Sequence, residues 1–121
     1  MPGRDLAPGD VVMIGFPRHD PRGHEQEGLR PAVVVGIPPL PMRFPLVWVV
    51  PLTSQTGQWQ EANPGLYPLL PAGSAGLMKD SVALGDNLRA VDRARVGAYI
   101  GTLDSVLMRP LREILARILS T

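Results

Sequence analysis

The sequence predicts an α+β fold that is mainly β: an SH3-like barrel of short, strongly bent antiparallel strands with one C-terminal helix. Three observations lead to this prediction. The 121 residues include 14 prolines and 13 glycines, which interrupt helices and sheet ladders and so favour short strands joined by sharp turns. Short β-branched apolar runs recur along most of the chain. Only the last residues place apolar side chains at helical spacing.

The strands follow from these apolar runs, each bounded by turn-forming residues. The predicted strands, in chain order, are residues 11–16, 30–37, 46–52, 66–70 and 95–103, and residues 81–84 and 88–91 are short apolar pieces on either side of a bend or hairpin. The second run, RPAVVVGI, is β-branched throughout and is expected to be buried on both faces. Pro51 in the third run predicts a strand end or a sheet edge, because proline donates no ladder hydrogen bond. Residues 85–87, Gly-Asp-Asn, predict a bend.

The segments between the apolar runs are of two kinds, polar and proline-rich. Residues 17–28 and 53–65 are polar and predict loops, and the proline-dense residues 38–45 exclude any regular element. The tail repeats apolar residues at intervals of three and four, which predicts an amphipathic helix with Asp104 as a candidate N-cap. Pro110 fits badly inside a helix, so we expect a short turn over residues 104–108 and a main helix that begins at Pro110.

Composition restricts the function classes. The length predicts a single domain over residues 1–121. The absence of cysteine excludes disulfides, thiolate metal sites and cysteine nucleophiles, and no apolar run is long enough to span a bilayer or to act as a signal segment. We therefore expect a cytoplasmic protein with no membrane contact. The net charge of +1 gives no global argument for nucleic acid binding, although 11 of the 12 basic residues are arginine, whose planar fork suits phosphate.

The candidate site residues lie at strand ends. The stretch RGHEQEGLRPAVVV places His24, Glu25 and Arg30 just before a buried strand, Thr53 and Ser54 follow another strand, and Asp86 lies in the predicted bend. Each also has a purely structural interpretation: Arg30 as an edge salt bridge, the hydroxyl pair as a turn cap and Asp86 as a turn aspartate. The only histidines are His19 and His24, and HEQE lacks the second histidine of HExxH, so no metal site is predicted.

Several motifs together resemble the MazF/PemK/Kid family of bacterial toxin endoribonucleases. RGHEQEGLRPAVVV is similar to the GHEQxGxRPxxVV signature between the first two strands of that family. The similarity continues in order through Gly-Asp-Val-Val at residues 9–12, VVPLTSQ at residues 49–55 and SVALGDNLRAVD at residues 81–92. The C-terminal helix ends in a similar L-x-x-I-L pattern, so the resemblance covers nearly the whole chain.

The resemblance implies an SH3-like barrel, a homodimer, single-stranded RNA as the substrate and an antitoxin as the inhibitor. Because the sequence offers no metal-ligand spacing, we expect cleavage without a metal or cofactor. Arg30 and Thr53 fall on the family's catalytic arginine and threonine, and Asp86 falls on an aspartate that acts as a base in some members. His24 and Glu25 fall on loop positions implicated in substrate handling. We therefore expect catalytic roles for Arg30, Thr53, His24 and Asp86. We expect substrate binding by Glu25, Gln26, Ser54 and Gln55. Some members have an arginine two residues before the aspartate; this chain has Leu84, so an acid–base pair built on that arginine is not carried over.

The implied chemistry suits these residue types. RNA supplies its own nucleophile in the 2′-hydroxyl, which leaves a 2′,3′-cyclic phosphate and a 5′-hydroxyl. A fixed arginine fork can stabilise the charged phosphorane, and a threonine hydroxyl and a histidine can donate and transfer protons. Two alternatives remain at this point: a DNA gyrase poison resembling CcdB, which acts by protein binding, and a catalytically silent relative. Base recognition is expected in variable loops such as residues 56–65.

Overall fold

The chain forms one seven-stranded antiparallel sheet with a helix at its C-terminus. A computed structural model describes residues 5–18, 23–24, 28–39 and 43–120. The elements in chain order are β1 (Asp10–Phe16), β2 (Gly28–Gly36), β3 (Leu46–Thr53), α1 (Gln58–Ala62), β4 (Leu69–Leu70), β5 (Ser81–Ala83), β6 (Arg89–Asp92), β7 (Val96–Thr102) and α2 (Ser105–Ile118). The predicted fold class, mainly β with a C-terminal helix, is confirmed.

The sheet order is β4-β5-β3-β2-β1-β7, and β6 also pairs with β3. The central strand β3 therefore has three neighbours: β2 along one edge, and β6 and then β5 along the other. Register shifts interrupt the pairing of β1 with β7 and of β2 with β3. Such irregularities increase local bending, which explains how strands this short curl into a half-barrel.

Two hydrophobic clusters lie on opposite faces of the curled sheet, because successive side chains of a strand point to opposite sides. Val33 of β2 and Val50 of β3 belong to the first cluster, which Met108 and Leu111 of α2 cover. Their neighbours Ala32, Val34 and Val49 belong to the second cluster, on the face away from α2. The centre of β2 is fully buried, as its β-branched sequence predicts.

Pro51 is a correction to the sequence analysis, because it lies inside a central strand and is buried. The reason is the change of neighbour along β3. Residues Leu46–Val49 pair with β6 and residues Leu52–Thr53 pair with β5, so Pro51 falls between the two ladders, where no partner requires its missing N–H. Its carbonyl still accepts a hydrogen bond from the Leu84 N–H at 2.9 Å.

The helices supply two further corrections. α2 is continuous from Ser105 and contains Pro110, instead of beginning there. Asp104 is its N-cap, as predicted, and the carboxylate accepts a hydrogen bond from the Leu107 N–H at 2.9 Å. The proline removes only the bond to the Val106 carbonyl, and Val106 is exposed, so water can satisfy that group. Residues 58–62 of the predicted polar loop form the short helix α1. None of the helices in the described part of the chain is long and apolar enough to cross a membrane.

Candidate active site

The β2–β3 register, continued two residues past its last pair, directs Arg30 toward Thr53. In the antiparallel pair β2–β3, Ala32 is the partner of Pro51, Val33 of Val50 and Val34 of Val49. Moving two residues back along β2 and two forward along β3 from the Ala32–Pro51 pair brings Arg30 opposite Thr53. Directly opposite residues in such a pair have Cβ atoms about 5 Å apart. The ends of β2 and β3 that carry Arg30 and Thr53 therefore lie at the same end of this strand pair.

Both side chains lie at the exposed margin of the second hydrophobic cluster. Arg30 shares a strand face with Ala32 and Val34, and Thr53 shares one with Val49. These three apolar residues are fully buried in the second cluster. Arg30 itself is exposed, and Thr53 is half-buried. A buried strand end on each side therefore fixes the two backbones, while the functional ends of the side chains remain accessible to a ligand.

The Thr53 hydroxyl is oriented by the turn that follows β3. Its Oγ1 accepts a hydrogen bond from the Gln55 N–H at 3.1 Å. A hydroxyl has one donor and two acceptor sites, so this contact leaves its proton available for a phosphate oxygen. Ser54 and Gln55 follow immediately and are exposed, which puts both of these predicted substrate-binding residues beside Thr53.

The β1–β2 loop carries the remaining predicted residues of the first motif. His24 is exposed, four residues before β2 begins. The predicted substrate-binding residues Glu25 and Gln26 lie outside the described residues. The loop leads directly into the strand that carries Arg30.

Asp86 lies apart from the Arg30–Thr53 pair. It is part of the turn Gly85–Asn87 that follows β5. Because β5 runs antiparallel to β3 and pairs with Thr53 through Val82, the chain moves away from Thr53 as it approaches Asp86. Asp86 is four residues beyond Val82, the strand partner of Thr53, and lies outside β5. Leu84 is buried in this segment, where the sequence analysis noted the missing arginine.

Both carboxylate oxygens of Asp86 accept hydrogen bonds. The Tyr67 hydroxyl donates to Oδ2 at 2.6 Å, and the Asn87 amide donates to Oδ1 at 2.9 Å. The hydrogen bond to Asp86, with smaller contributions from burial and from the negative charge of that carboxylate, raises the pKa of Tyr67 above its usual value of 10.0. Tyr67 is therefore a hydrogen-bond donor to Asp86 at neutral pH.

Two arginines that the sequence analysis did not select add positive charge near the site. The Arg89 guanidinium lies over the Phe16 ring at 5.1 Å from the centroid, and Phe16 belongs to the same cluster face as Arg30. Arg95 donates from Nη1 to the Gly15 carbonyl at 3.3 Å. Both contacts are to the end of β1 that pairs with the start of β2. The sequence alone does not predict that Arg95 lies close to β1, because 80 residues separate Arg95 from Gly15.

An apolar cavity lies elsewhere in the described part of the chain. It has a volume of about 410 Å³ and separates the second half of α2 from the end of β2 and the start of β3, with Gly36, Trp48, Leu115 and Leu119 in its walls. This is the opposite end of the β2–β3 pair from Arg30 and Thr53. Among the described residues, no group of three histidine, cysteine, aspartate or glutamate side chains is arranged to hold a metal ion.

Comparison with known families identifies the chain. The family described as the PemK-like, MazF-like toxin of type II toxin–antitoxin systems matches residues 7–119. The chain belongs to this family. The motif resemblance in the sequence is thereby confirmed, and the members of the MazF family are endoribonuclease toxins. No curated protein sequence gives a significant match.

Solved MazF structures share the fold. The chain is 25% identical to MazF from Deinococcus radiodurans, covering 96% of this chain and 97% of that one with a TM-score of 0.72. A MazE–MazF structure from the same organism matches at 25% identity, 96% coverage of both chains and a TM-score of 0.67. The toxin MazF-mt6 from Mycobacterium tuberculosis is 18% identical over 89% of this chain and 93% of that one, with a TM-score of 0.65, which supports the fold alone.

Proposed function

We propose that this MazF-family protein is a sequence-specific, metal-independent endoribonuclease that cleaves single-stranded RNA. In this proposal residues 1–121 act as one toxin domain on mRNA in the cytoplasm. The observation that carries the proposal is the β2–β3 register, whose last pair is Ala32–Pro51 and which, continued by two residues, brings Arg30 toward Thr53 at an exposed margin of the sheet. A guanidinium and a hydroxyl at this spacing can contact two oxygens of one phosphate.

The proposed reaction is an internal transesterification. The 2′-oxygen attacks the adjacent phosphorus, its proton passes to a base, and the bond from phosphorus to the 5′-oxygen breaks as that oxygen gains a proton. The products are a 2′,3′-cyclic phosphate and a 5′-hydroxyl. No external nucleophile or oxidant is needed, because the substrate supplies the attacking group.

Arg30 has the main electrostatic role in this step. The phosphorane carries more negative charge than the starting diester, so a fixed cation stabilises it more than the ground state. Arg30 is followed by Pro31 and by fully buried residues, which hold its backbone in place. The Thr53 hydroxyl donates a hydrogen bond to a second phosphate oxygen. Arg89 and Arg95 add to the positive potential that attracts the RNA backbone.

Proton transfer is assigned to His24, because imidazole is the side chain that both accepts and donates protons near neutral pH. Substrate binding is assigned to Ser54 and Gln55 beside Thr53, together with Glu25 and Gln26 of the β1–β2 loop. The exposed Ser54 hydroxyl and Gln55 amide can hydrogen-bond to sugars and to base edges.

The proposed partners are a second copy of the chain and an antitoxin. One similar structure is a MazE–MazF structure, and another is an endoribonuclease in complex with its cognate antitoxin from a mycobacterial species. We infer that a co-encoded acidic protein inhibits this toxin with a segment that folds over the groove at Arg30 and Thr53.

The test begins with a cleavage site mapped by sequencing the 5′ ends of RNA fragments after brief induction of the protein. An oligoribonucleotide spanning that site should be cut in EDTA. The same strand with one deoxynucleotide at the scissile position should bind but remain intact, because it keeps its phosphates and bases and lacks the nucleophile. Cleavage of the deoxy strand at the same bond would overturn the mechanism. So would a requirement for a divalent metal in the cleavage of the all-ribo strand.

Arg30→Ala tests the residue assignment in the same assay. Loss of one transition-state contact of this kind lowers turnover by about 100- to 1,000-fold. Arg109→Ala is the matched control, because Arg109 is an exposed arginine on α2. Turnover within a few-fold of wild type in the Arg30 variant would refute the assignment. An absence of any RNA cleavage, with gyrase–DNA adducts accumulating instead, would support the gyrase poison alternative.

A further inference from the structure

An exposed aromatic pair lies on the chain that follows Thr53. Trp59 is in α1, and its ring packs edge-to-face against Tyr67, with the ring centroids 4.9 Å apart and the planes at 87°. Trp59 remains 42% exposed. α1 contains no buried residue at all, so this helix does not contribute to the core. A large aromatic side chain held in such a position suggests a binding role.

The contacts around Trp59 hold it in one orientation. Gly57 lies directly against the indole: a Cβ at that position would be 3.0 Å from Nε1 of Trp59. On the other side, the Tyr67 hydroxyl is hydrogen-bonded to Asp86, and the Gln60 amide donates to the Tyr67 carbonyl at 3.1 Å. Tyr67 is therefore fixed at its hydroxyl and at its backbone, and it supports one side of the indole.

The charges near this pair do not suit a phosphate. Glu61 is exposed on α1, and Asp86 lies beyond Tyr67, so an RNA backbone would be repelled here. A nucleobase is uncharged, and its face stacks on an indole. Gln58, also exposed, offers an amide of the kind that pairs with base edges. The surroundings thus favour a base over the sugar–phosphate chain.

The location suits a base close to the scissile bond. Trp59 is six residues beyond Thr53, and the intervening chain turns back so that Leu66 accepts a hydrogen bond from Gly85. The aromatic pair therefore lies beside the sheet between the levels of Thr53 and Asp86. RNA whose phosphate is held at Arg30 and Thr53 can extend a neighbouring nucleotide to this position.

We propose that Trp59 stacks on an unpaired base that flanks the scissile phosphate, and that Tyr67 and Asp86 are positioning residues for its indole. This inference rests on the proposed ribonuclease function and deepens it by assigning one substrate contact. Stacking accepts any base, so Trp59 contributes affinity and alignment, while the choice among bases belongs to polar groups nearby.

The experiment uses tryptophan fluorescence and a fluorescein-labelled oligoribonucleotide that carries a single deoxynucleotide at the mapped cleavage position, so that it binds without being cut. The protein has two tryptophans, Trp48 and Trp59. Binding should quench the wild-type emission, because a stacked base contacts the indole. Trp59→Phe should abolish the quenching, since only Trp48 remains, and should keep most of the affinity because phenylalanine also stacks.

Trp59→Ala completes the test. Its affinity for the labelled strand, measured by anisotropy, should fall about 5- to 150-fold, the range that corresponds to loss of one base–aromatic stack. The loss should appear mainly in KM on the all-ribo strand. Equal affinity of the alanine variant and wild type, or quenching that persists in Trp59→Phe, would overturn the inference while leaving the ribonuclease proposal intact. Failure of wild type to cut any RNA would instead overturn the proposed function.

Discussion

Asp86 has two competing roles that single-residue substitutions separate. The sequence resemblance predicts a base, whereas its hydrogen bonds to Tyr67 and Asn87 support a positioning role for the aromatic pair. An asparagine at this position can accept the Tyr67 hydrogen bond but cannot accept a proton. The two roles therefore predict different outcomes for the same conservative change.

We expect Asp86→Asn to keep kcat within a few-fold of wild type. Asp86→Ala and Tyr67→Phe should share one phenotype, in which KM rises and the tryptophan quenching by RNA weakens, because both remove the hydrogen bond that holds Tyr67. Steady-state kinetics and fluorescence titrations on the three variants provide the measurement. A fall in kcat of about 100-fold or more in Asp86→Asn, a typical loss for a missing general base, would establish Asp86 as the base.

The elements show which parts of this fold the sequence determines locally. The five predicted strands form with ends shifted by a few residues, and the two apolar pieces around residues 85–87 also form strands, because apolar runs bounded by turn residues favour extended chain. Pro51 and Pro110 were misjudged because their cost depends on the folded surroundings: the change of neighbour along β3 for Pro51, and the exposure of Val106 for Pro110. Short-range rules contain neither fact.

In the candidate site too, local motifs predicted some residues, whereas long-range pairing decided how they are arranged. Arg30 and Thr53 were selected from motifs, but their placement at the same end of the strand pair depends on the β2–β3 register, which no local pattern states. Trp59 was missed because α1 lies in a stretch that resembles a polar loop, and its partner Tyr67 lies eight residues further on. Arg89 and Arg95 were missed because their contacts are with β1, at the other end of the chain.

The cap of α2 offers a prediction about a single element. Asp104→Ala removes the acceptor for the Leu107 N–H and should lower the free energy of unfolding by about 1 kcal/mol. Because Met108 and Leu111 of α2 cover the first cluster, the loss should appear in global unfolding and not as local fraying. Urea titration would measure it, with the m-value unchanged. Asp104→Asn, which retains a capping oxygen, is the matched control, and equal destabilisation by both variants would contradict the cap.

At the scale of the whole molecule, the two faces of the curled sheet have different surroundings. α2 covers the first cluster on one face, and the second cluster fills the other face, with Arg30 and Thr53 at its exposed margin. The sheet path ends at β4 and β7, so the molecule retains strand edges. Nine large hydrophobic side chains of the described residues are exposed, among them Leu29, Val106 and Leu119. Open strand edges such as those of β4 and β7 favour pairing with a second copy of the chain.

We therefore predict a homodimer at micromolar concentration, with twice the 13.1 kDa mass of one chain. The physical reason is that pairing two copies covers exposed edges and apolar side chains symmetrically, the commonest closed arrangement of soluble oligomers. Size-exclusion chromatography with light scattering gives the mass directly. Arg30→Ala should have the same mass as wild type, since its side chain is assigned to the phosphate, which separates loss of activity from loss of assembly. A monomer mass across the micromolar range would contradict the dimer, and with it any RNA groove shared between two copies.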